Sequence, residues 1–342
     1  MLVRSFSNGF AVQDWTQELN VIPNQWGTIR EFGIFQPEPV AASSVVFEEI
    51  IKDGAVIVDR VRGERGTVGK DYIRKLHTFA IPHMPYDEAI YPKDLAAVRA
   101  YGSPDEQEQL AAVRTRKMER IAQAHAWTLE KARAQAITAG TVYAPSGTVT
   151  QDWNAEMGWT RVTVGFALTT GSTEVLDKIE QVVASIQDNV GNGQSITGVV
   201  AFCSPTFFAA LISHPNVKAA YQYYTSTQEP LRQRLSAGGG NSSAVVRREF
   251  FYAGVQWVEM RDKIDGVQLI PTDEAYAVAQ GTEAFKTYFA PAERFGLVGT
   301  LGEQMYMFET AAANGTKIEI ETESNFCNAI LRPQAVVKMT KV

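Results

Sequence analysis

Residues 103–140 read SPDEQEQLAAVRTRKMERIAQAHAWTLEKARAQAITAG, and they predict one uninterrupted helix. Ser103 is a good N-cap and Pro104 suits the first helical position. Asp105, Glu106 and Glu108 complement the positive end of the helix dipole. From 104 to 139 no Pro or Gly intervenes, and Gly140 supplies the stop. Leu110, Met118, Ile121, Leu129, Ala132 and Ala136 fall on one stripe. At ~1.5 Å per residue the helix would extend ~54 Å, far beyond the usual ~11–12 residues. A rod of that length needs a sheet or another subunit along its side.

N-terminal to the rod, residues 46–81 predict a long β-hairpin or extended loop. VVFEEIIKDGAVIVDRV is rich in β-branched residues, GERGTVG suits a flexible tip, and DYIRKLHTFAIP returns with Ile73, Leu76 and Phe79. Residues 52–76 carry seven Lys or Arg and four Asp or Glu, so 7 − 4 = +3, which leaves −6 − 3 = −9 for the rest. A basic protrusion on an acidic body is a self-association device; the plainer reading is a solvated hairpin with scattered charge. Residues 1–45 string Phe6, Phe10, Trp15, Trp26, Phe32 and Phe35 along polar sequence with no steady period. Such spaced aromatics suit a strap on the chain's own body or an arm docking on a neighbouring subunit, because each ring buries a large apolar area.

Beyond Gly140, VYAPSGTVTQDW carries a hairpin signal. Ser172 starts a helix reaching about Asn189, with Val175, Leu176, Ile179, Val182, Val183 and Ile186 as its apolar face. Residues 197–202 predict a buried strand, and Ser204-Pro205 opens a second helix that stops near His214-Pro215. This alternation implies a compact α/β subdomain. SAGGGNSSA at 236–244 reads as a flexible loop. FFYAGVQWVEM at 250–260 and GVQLIP at 266–271 read as strands around a turn, with EAYAVAQG after them. At the C-terminus KIEIE at 317–321 alternates strictly, so one face is wet, and AILRPQAVVKMT reads as a last strand pair or a strand with an edge Pro333.

Composition bounds the function classes. The chain has 342 residues, 45% hydrophobic and 20% charged, which is ordinary globular composition. A net charge of −6 is a poor basis for a dedicated DNA binder. Asp14 and Glu18 sit where an export signal would need an apolar core, and no run of ~18 apolar residues occurs, so the reading is a cytoplasmic protein with no membrane partner. Cys203 and Cys327 are too far apart for a cysteine zinc site and read as buried, reduced thiols.

Catalytic constellations do not emerge. GERGTVGKD lacks the first Gly of a phosphate loop, at Glu64, and its magnesium-holding hydroxyl, at Asp71. His77, His83, His125 and His214 include no pair at helical metal spacing and read as packing residues. Cys203 ends an apolar strand and reads as inert. No Gly-x-Ser-x-Gly elbow is present. The expectation is a non-enzymatic structural protein with no catalytic residues, cofactor or metal.

The order of these parts resembles the major capsid proteins of tailed bacteriophages, and more closely the lambda-type phage major capsid protein E family. The resemblance runs from about Ala41 to Val342. It is carried by VDRVRGERGTVGKDYIRKLHTFAIPHMPYDEAIYPKDL at 58–95, the long helix, VVAFCSPTFFAALISHP at 199–215 and FAPAERFG at 289–296. It implies an α+β fold of the Hong Kong 97 type. Residues 1–45 would be the N-arm and 46–81 the E-loop, which reaches over an adjacent subunit. Residues 82–164 would be the P-domain with its spine helix 104–139, 165–303 the α/β A-domain, and 304–342 the C-terminal strands completing the P-domain.

The implied function is a major head protein that self-assembles into pentamers and hexamers of an icosahedral shell around double-stranded DNA. It would be made in the host cytoplasm and found in the virion. On that reading Arg60, Arg62, Arg65 and Lys70 would meet Glu319, Glu321 and Glu323 or the acidic helix start of a neighbour, with Trp15 and Trp26 as apolar anchors. The implied partners are a scaffolding protein, a portal protein, a decoration protein at three-fold positions and, non-specifically, packaged DNA. A covalent cross-link of the kind some members make would join Lys70 to Asn325 or Asn328. Two other readings stay open: an encapsulin-like nanocompartment shell, and an α/β enzyme with a site near Cys203 and His214.

Overall fold

A computed structural model describes residues 3–5, 11–21, 27–51, 73–96, 106–143, 151–190, 196–222, 235–237, 246–264, 266–312 and 314–342. The N-terminal segment supplies β1 (Val3–Ser5), β2 (Ala11–Asp14), α1 (Thr16–Val21), α2 (Thr28–Glu31) and β3 (Gln36–Pro39). Next come β4 (Ser44–Ile51), β5 (Ile73–Ala80), β6 (Pro85–Ile90), α3 (Pro92–Ala96) and the long helix α4 (Glu106–Ala139). The middle of the chain holds α5 (Trp153–Met157), β7 (Thr163–Gly165), α6 (Val175–Val190), β8 (Gly198–Cys203), α7 (Pro205–Ser213) and α8 (Pro215–Gln222). It continues with β9 (Leu235–Ala237), β10 (Val246–Tyr252), β11 (Val255–Glu259), β12 (Lys263–Ile264) and β13 (Val267–Gln268). The last strands are β14 (Glu274–Gln280), β15 (Phe285–Phe289), β16 (Tyr306–Ala311), β17 (Ile318–Glu323), β18 (Phe326–Ile330) and β19 (Val336–Thr340).

The long helix organises the molecule because its buried stripe meets three sheets in succession. Near its start Val113, Met118, Ile121 and Ala122 pack on Met305, just before β16, and on Met307 and Ile320 of the five-stranded sheet β1-β2-β16-β17-β6. In its middle Leu129 and Ala132 meet Phe289 and Phe326 of the three-stranded sheet β18-β15-β3. Toward its end Ala134, Ala136 and Ile137 cover Val200, Phe202, Tyr276 and Val278 of the seven-stranded sheet β7-β19-β14-β8-β11-β10-β9. The rod needs a support along its side, and these sheets provide it. Gly140 ends it in the left-handed region at φ 71°, with its amide donating to Ala136 O at 2.9 Å. The Ser103 cap lies outside the described residues.

The seven-stranded sheet is buried on both faces, so its central strands are nearly all apolar. β8 shows the logic: Val199, Ala201 and Cys203 face the α6–α7 layer, while Val200 and Phe202 face α4. In α6, Val175, Ile179, Val182, Ile186 and Val190 are buried as the helical period requires. Leu176, expected on that face, lies at its edge and is 48% exposed. Ser204 caps α7, accepting from Phe207 N. Among the described residues no helix is long and apolar enough to cross a membrane.

Three local expectations need correction. Residues 304–342 do not stay together: β16 and β17 complete the five-stranded sheet, but β19 pairs with β14 and β7 in the seven-stranded one. The break falls at Pro333, whose ring cannot donate to a ladder and which opens a 3₁₀ turn between β18 and β19. FFYAGVQWVEM is itself a hairpin, β10 against β11, turning at Ala253-Gly254 with both residues at positive φ. GVQLIP contributes only the two residues of β13.

The described part of residues 1–45 is a strap on its own body. β2 pairs with β16 and β3 with β15, and Leu19, Ile29, Ile34 and Phe35 are buried.

Candidate assembly surfaces

β4 and β5 pair antiparallel from Ser44↔Ala80 to Ile51↔Ile73, and neither joins another sheet among the described residues. A two-stranded ribbon is marginal alone in water, so its base needs an anchor. Phe47 and Phe79 on its inner face enter a cluster with Trp153 and Tyr288. Phe79 stacks on Trp153 at 3.9 Å, and Phe47 lies 5.4 Å from Phe79 and from Tyr288. Trp153 is held by the Asp152 cap of α5, whose carboxylate accepts from Asn154 N at 2.9 Å. On the outer face, beside the polar Thr78, Val46 is 57% and Leu76 72% exposed. Arg60, Arg62, Arg65 and Lys70 belong to the stretch between the strands and lie outside the described residues, as does Trp26.

Trp15 is half-buried against the body of its own chain. The Arg114 guanidinium lies 4.8 Å from its ring centroid and binds Glu309 through two 2.7 Å hydrogen bonds. The Trp15 amide donates to Met307 O at 2.9 Å, which ties the strap to β16 and α4 together.

The three carboxylates on β17 already have partners within the chain. Glu319 pairs with Lys317 at 2.8 Å, and Glu321 pairs with Arg294. Glu323 accepts from Glu293 N at 3.0 Å and Asn325 Nδ2 at 3.2 Å, with His83 at 3.7 Å. Glu319 and Glu321 keep an exposed side, whereas the Glu323 side chain is only 13% exposed. The other partner named for the basic stretch, the acidic start of the long helix, has no described side chains.

Beside these carboxylates stands a surface the sequence reading passed over. Phe295, Val298 and Leu301 protrude from the turn between β15 and β16, with Phe295 97% exposed. Its signal is FGLVGTL, apolar residues spaced by glycines directly after FAPAER. Asn325 and Asn328 are buried and engaged: Asn325 Oδ1 accepts from Met84 N at 3.0 Å and Asn328 Oδ1 from Thr287 Oγ1 at 2.7 Å. Neither presents its amide to a lysine of another subunit in this conformation.

The titratable interior is structural. His125 is buried on α4, its Nε2 2.9 Å from Thr322 Oγ1, and burial pulls its pKa down to about 4. Glu130, also on α4, accepts from Ile29 N at 2.6 Å and so caps α2 of the strap. Burial pushes its carboxyl up to about 7 against the opposing pull of Arg133 and the Ile29 amide. Burial raises the Cys203 thiol well above its usual range and the Cys327 thiol to about 12, so neither is an activated thiolate. His214 lies with Nε2 3.1 Å from Thr170 O and accepts from Asn216 N through Nδ1. No group of three or more His, Cys, Asp or Glu able to hold a metal occurs among the described residues.

Known proteins agree with this architecture. The family model described as phage major capsid protein E matches residues 11–341. The chain is 42% identical over 348 residues to the major capsid protein of Pseudomonas phage KPP10, covering 98% of each. It is 24% identical over 361 residues to that of Salmonella phage Felix O1 (isolate Felix O1-VT1), again covering 98% of each. Among solved structures, the putative capsid protein of a prophage of E. coli CFT073 superposes with a TM-score of 0.59 at 11% identity, covering 96% of this chain and 100% of that one. The capsid of Cyanophage P-SCSP1u gives 0.53 at 13% identity, covering 99% and 93%.

Proposed function

The chain belongs to the phage major capsid protein E family and carries the Hong Kong 97-type fold, and from that premise we propose how its parts build a shell. It is a structural capsid protein of the virion; the finer assignments are our reading. Subunits gather as pentamers and hexamers of an icosahedral shell around double-stranded DNA, assembled in the host cytoplasm on a scaffolding protein and closed by a portal. A decoration protein at three-fold positions is a further proposed partner. The five-stranded sheet with the first half of α4 acts as the P-domain, and the seven-stranded sheet with α6 and α7 as the A-domain. The segment before β4 acts as the N-arm, and β4–β5 is the stem of the E-loop.

One observation carries this reading. The β4–β5 ribbon is anchored at its base by four aromatic rings, yet its outer face shows Val46 and Leu76 to water. A lone ribbon of that kind gains stability only from another surface, and in a shell protein the available surface is a neighbouring copy. Weak contacts suffice, because a closed shell repeats each of them many times. The acidic average of the chain lets packaged DNA move, since few phosphates are neutralised.

Reversing Arg62 and Arg65 to Glu tests the proposed electrostatic half of the loop contact. The expected outcome is a soluble, folded subunit that assembles poorly at low salt. Unchanged shell yields across a salt series would remove the role assigned to these arginines.

A further inference from the structure

We infer that Asn314, in the turn between β16 and β17, is a self-modification site. Its carboxamide is attacked by the backbone nitrogen of Gly315 and loses ammonia, which leaves an aspartate or iso-aspartate at that position. The inference stands on this turn alone and is independent of the shell-forming reading. Asn314, Gly315 and Thr316 are all exposed. Gly315 sits in the left-handed region at φ 68°, and a Cβ added there would meet nothing within 4 Å. Water therefore reaches the turn, and no side chain at 315 shields the nitrogen that attacks.

The geometry around the carboxamide favours the reaction. Gly315 N follows Asn314 directly, so its attack on Cγ closes a five-membered ring without any bimolecular encounter. Asn314 Oδ1 accepts from Thr316 Oγ1 at 2.6 Å and from Thr316 N at 3.2 Å. Negative charge grows on this oxygen as the new bond forms, and both Thr316 donors are aimed at it. The opposing restraint is the hydrogen bond from Gly315 N to Ala312 O at 2.8 Å. It is a bond of an exposed turn, the kind that opens at low cost.

The step balances with water alone. Hydroxide takes the Gly315 amide proton, the Gly315 N–Cγ bond forms, the Cγ–Nδ2 bond breaks, and ammonia leaves with a proton from water. Water then opens the cyclic imide at either carbonyl. The product carries one more carboxylate, so the net charge becomes −6 − 1 = −7. The iso-aspartate route also adds a methylene to the main chain, at the end of the β16–β17 ladder where Ala311 faces Ile318.

The test incubates the full-length chain in heavy-oxygen water at mildly alkaline pH and then maps its peptides by mass spectrometry. Position 314 should gain label steadily, as both aspartate and iso-aspartate, and Asn314→Gln should lose that label. Thr316→Val should slow labelling about tenfold, as loss of a hydrogen bond to a charged oxygen predicts. In urea, where the turn is gone, native and Thr316→Val chains should label at the same rate. Two further Asn-Gly pairs, Asn8-Gly9 and Asn192-Gly193, lie outside the described residues, and the map reads each separately. A folded chain that stays unlabelled at 314 while the urea-unfolded chain labels there would overturn the inference. Equal rates for the folded native and Thr316→Val chains would remove Thr316 from the mechanism.

Discussion

Two buried titratable side chains on α4 hold it to its surroundings, and they respond to pH in opposite directions. His125 must be neutral where it sits, because its folded pKa of about 4 lies below its ordinary 6.5. The stability it supports is complete above 6.5 and is lost as pH falls through the window to 4. The His125 share of that loss should be on the order of 3 kcal/mol; because Glu130 acts in the opposite sense over the same window, it is read as the difference between native and His125→Gln in the change of unfolding free energy from pH 7 to pH 4.5. His125→Gln should lose its share and leave a chain that gains stability as pH falls from 7 to 4.5; curves parallel to the native chain's would contradict the assignment. Glu130 has its folded pKa raised to about 7 from 4.5. The folded state therefore favours its protonated form, and stability falls as pH rises from 4.5 to 7. Glu130→Gln should lose this dependence, so native and variant curves should diverge in slope between pH 4.5 and 7. Parallel curves would show that another group sets it.

At the scale of elements, the ribbon depends on its aromatic base. Phe79→Ala removes the ring stacked on Trp153 and should cost about 3–5 kcal/mol. Hydrogen exchange should speed up selectively at the amides of 44–51 and 73–80, with α6 and β8 unchanged. A uniform change across the chain would mean that the ribbon is not a separable unit. Much at this scale was legible in the sequence. The long helix, described over Glu106–Ala139, the Ser204-Pro205 start of α7 and the alternation at 317–321 each reflect local chemistry, so periodicity and capping revealed them. What pairing does across distance was not legible. Nothing near Val336 says that β19 will lie between β14 and β7, and nothing near Pro37 says that β3 will join β15, because those choices depend on partners far away in sequence.

For the whole molecule, α4 carries three sheets on one stripe, and that is how a single chain combines separate sheets into one building block. The expected charge partners on β17 illustrate the limit of reading composition. Glu319, Glu321 and Glu323 were visible as an acidic strand, but their pairing with Lys317, Arg294 and His83 is a property of the fold. The turn at 295–301 escaped notice for the same reason: exposure of Phe295 follows from Leu297 packing inward, and no local pattern encodes it. Identity was easier to read than surfaces, since the family resemblance is spread along the chain and the family model matches residues 11–341.

The central claim is that this chain closes into a shell. Microscopy of the purified protein, run beside sedimentation velocity and with any proposed scaffolding protein co-expressed, tests it most directly. The account predicts closed icosahedral particles, or rings of five and six subunits. A homogeneous monomer or dimer with the scaffold present would contradict it.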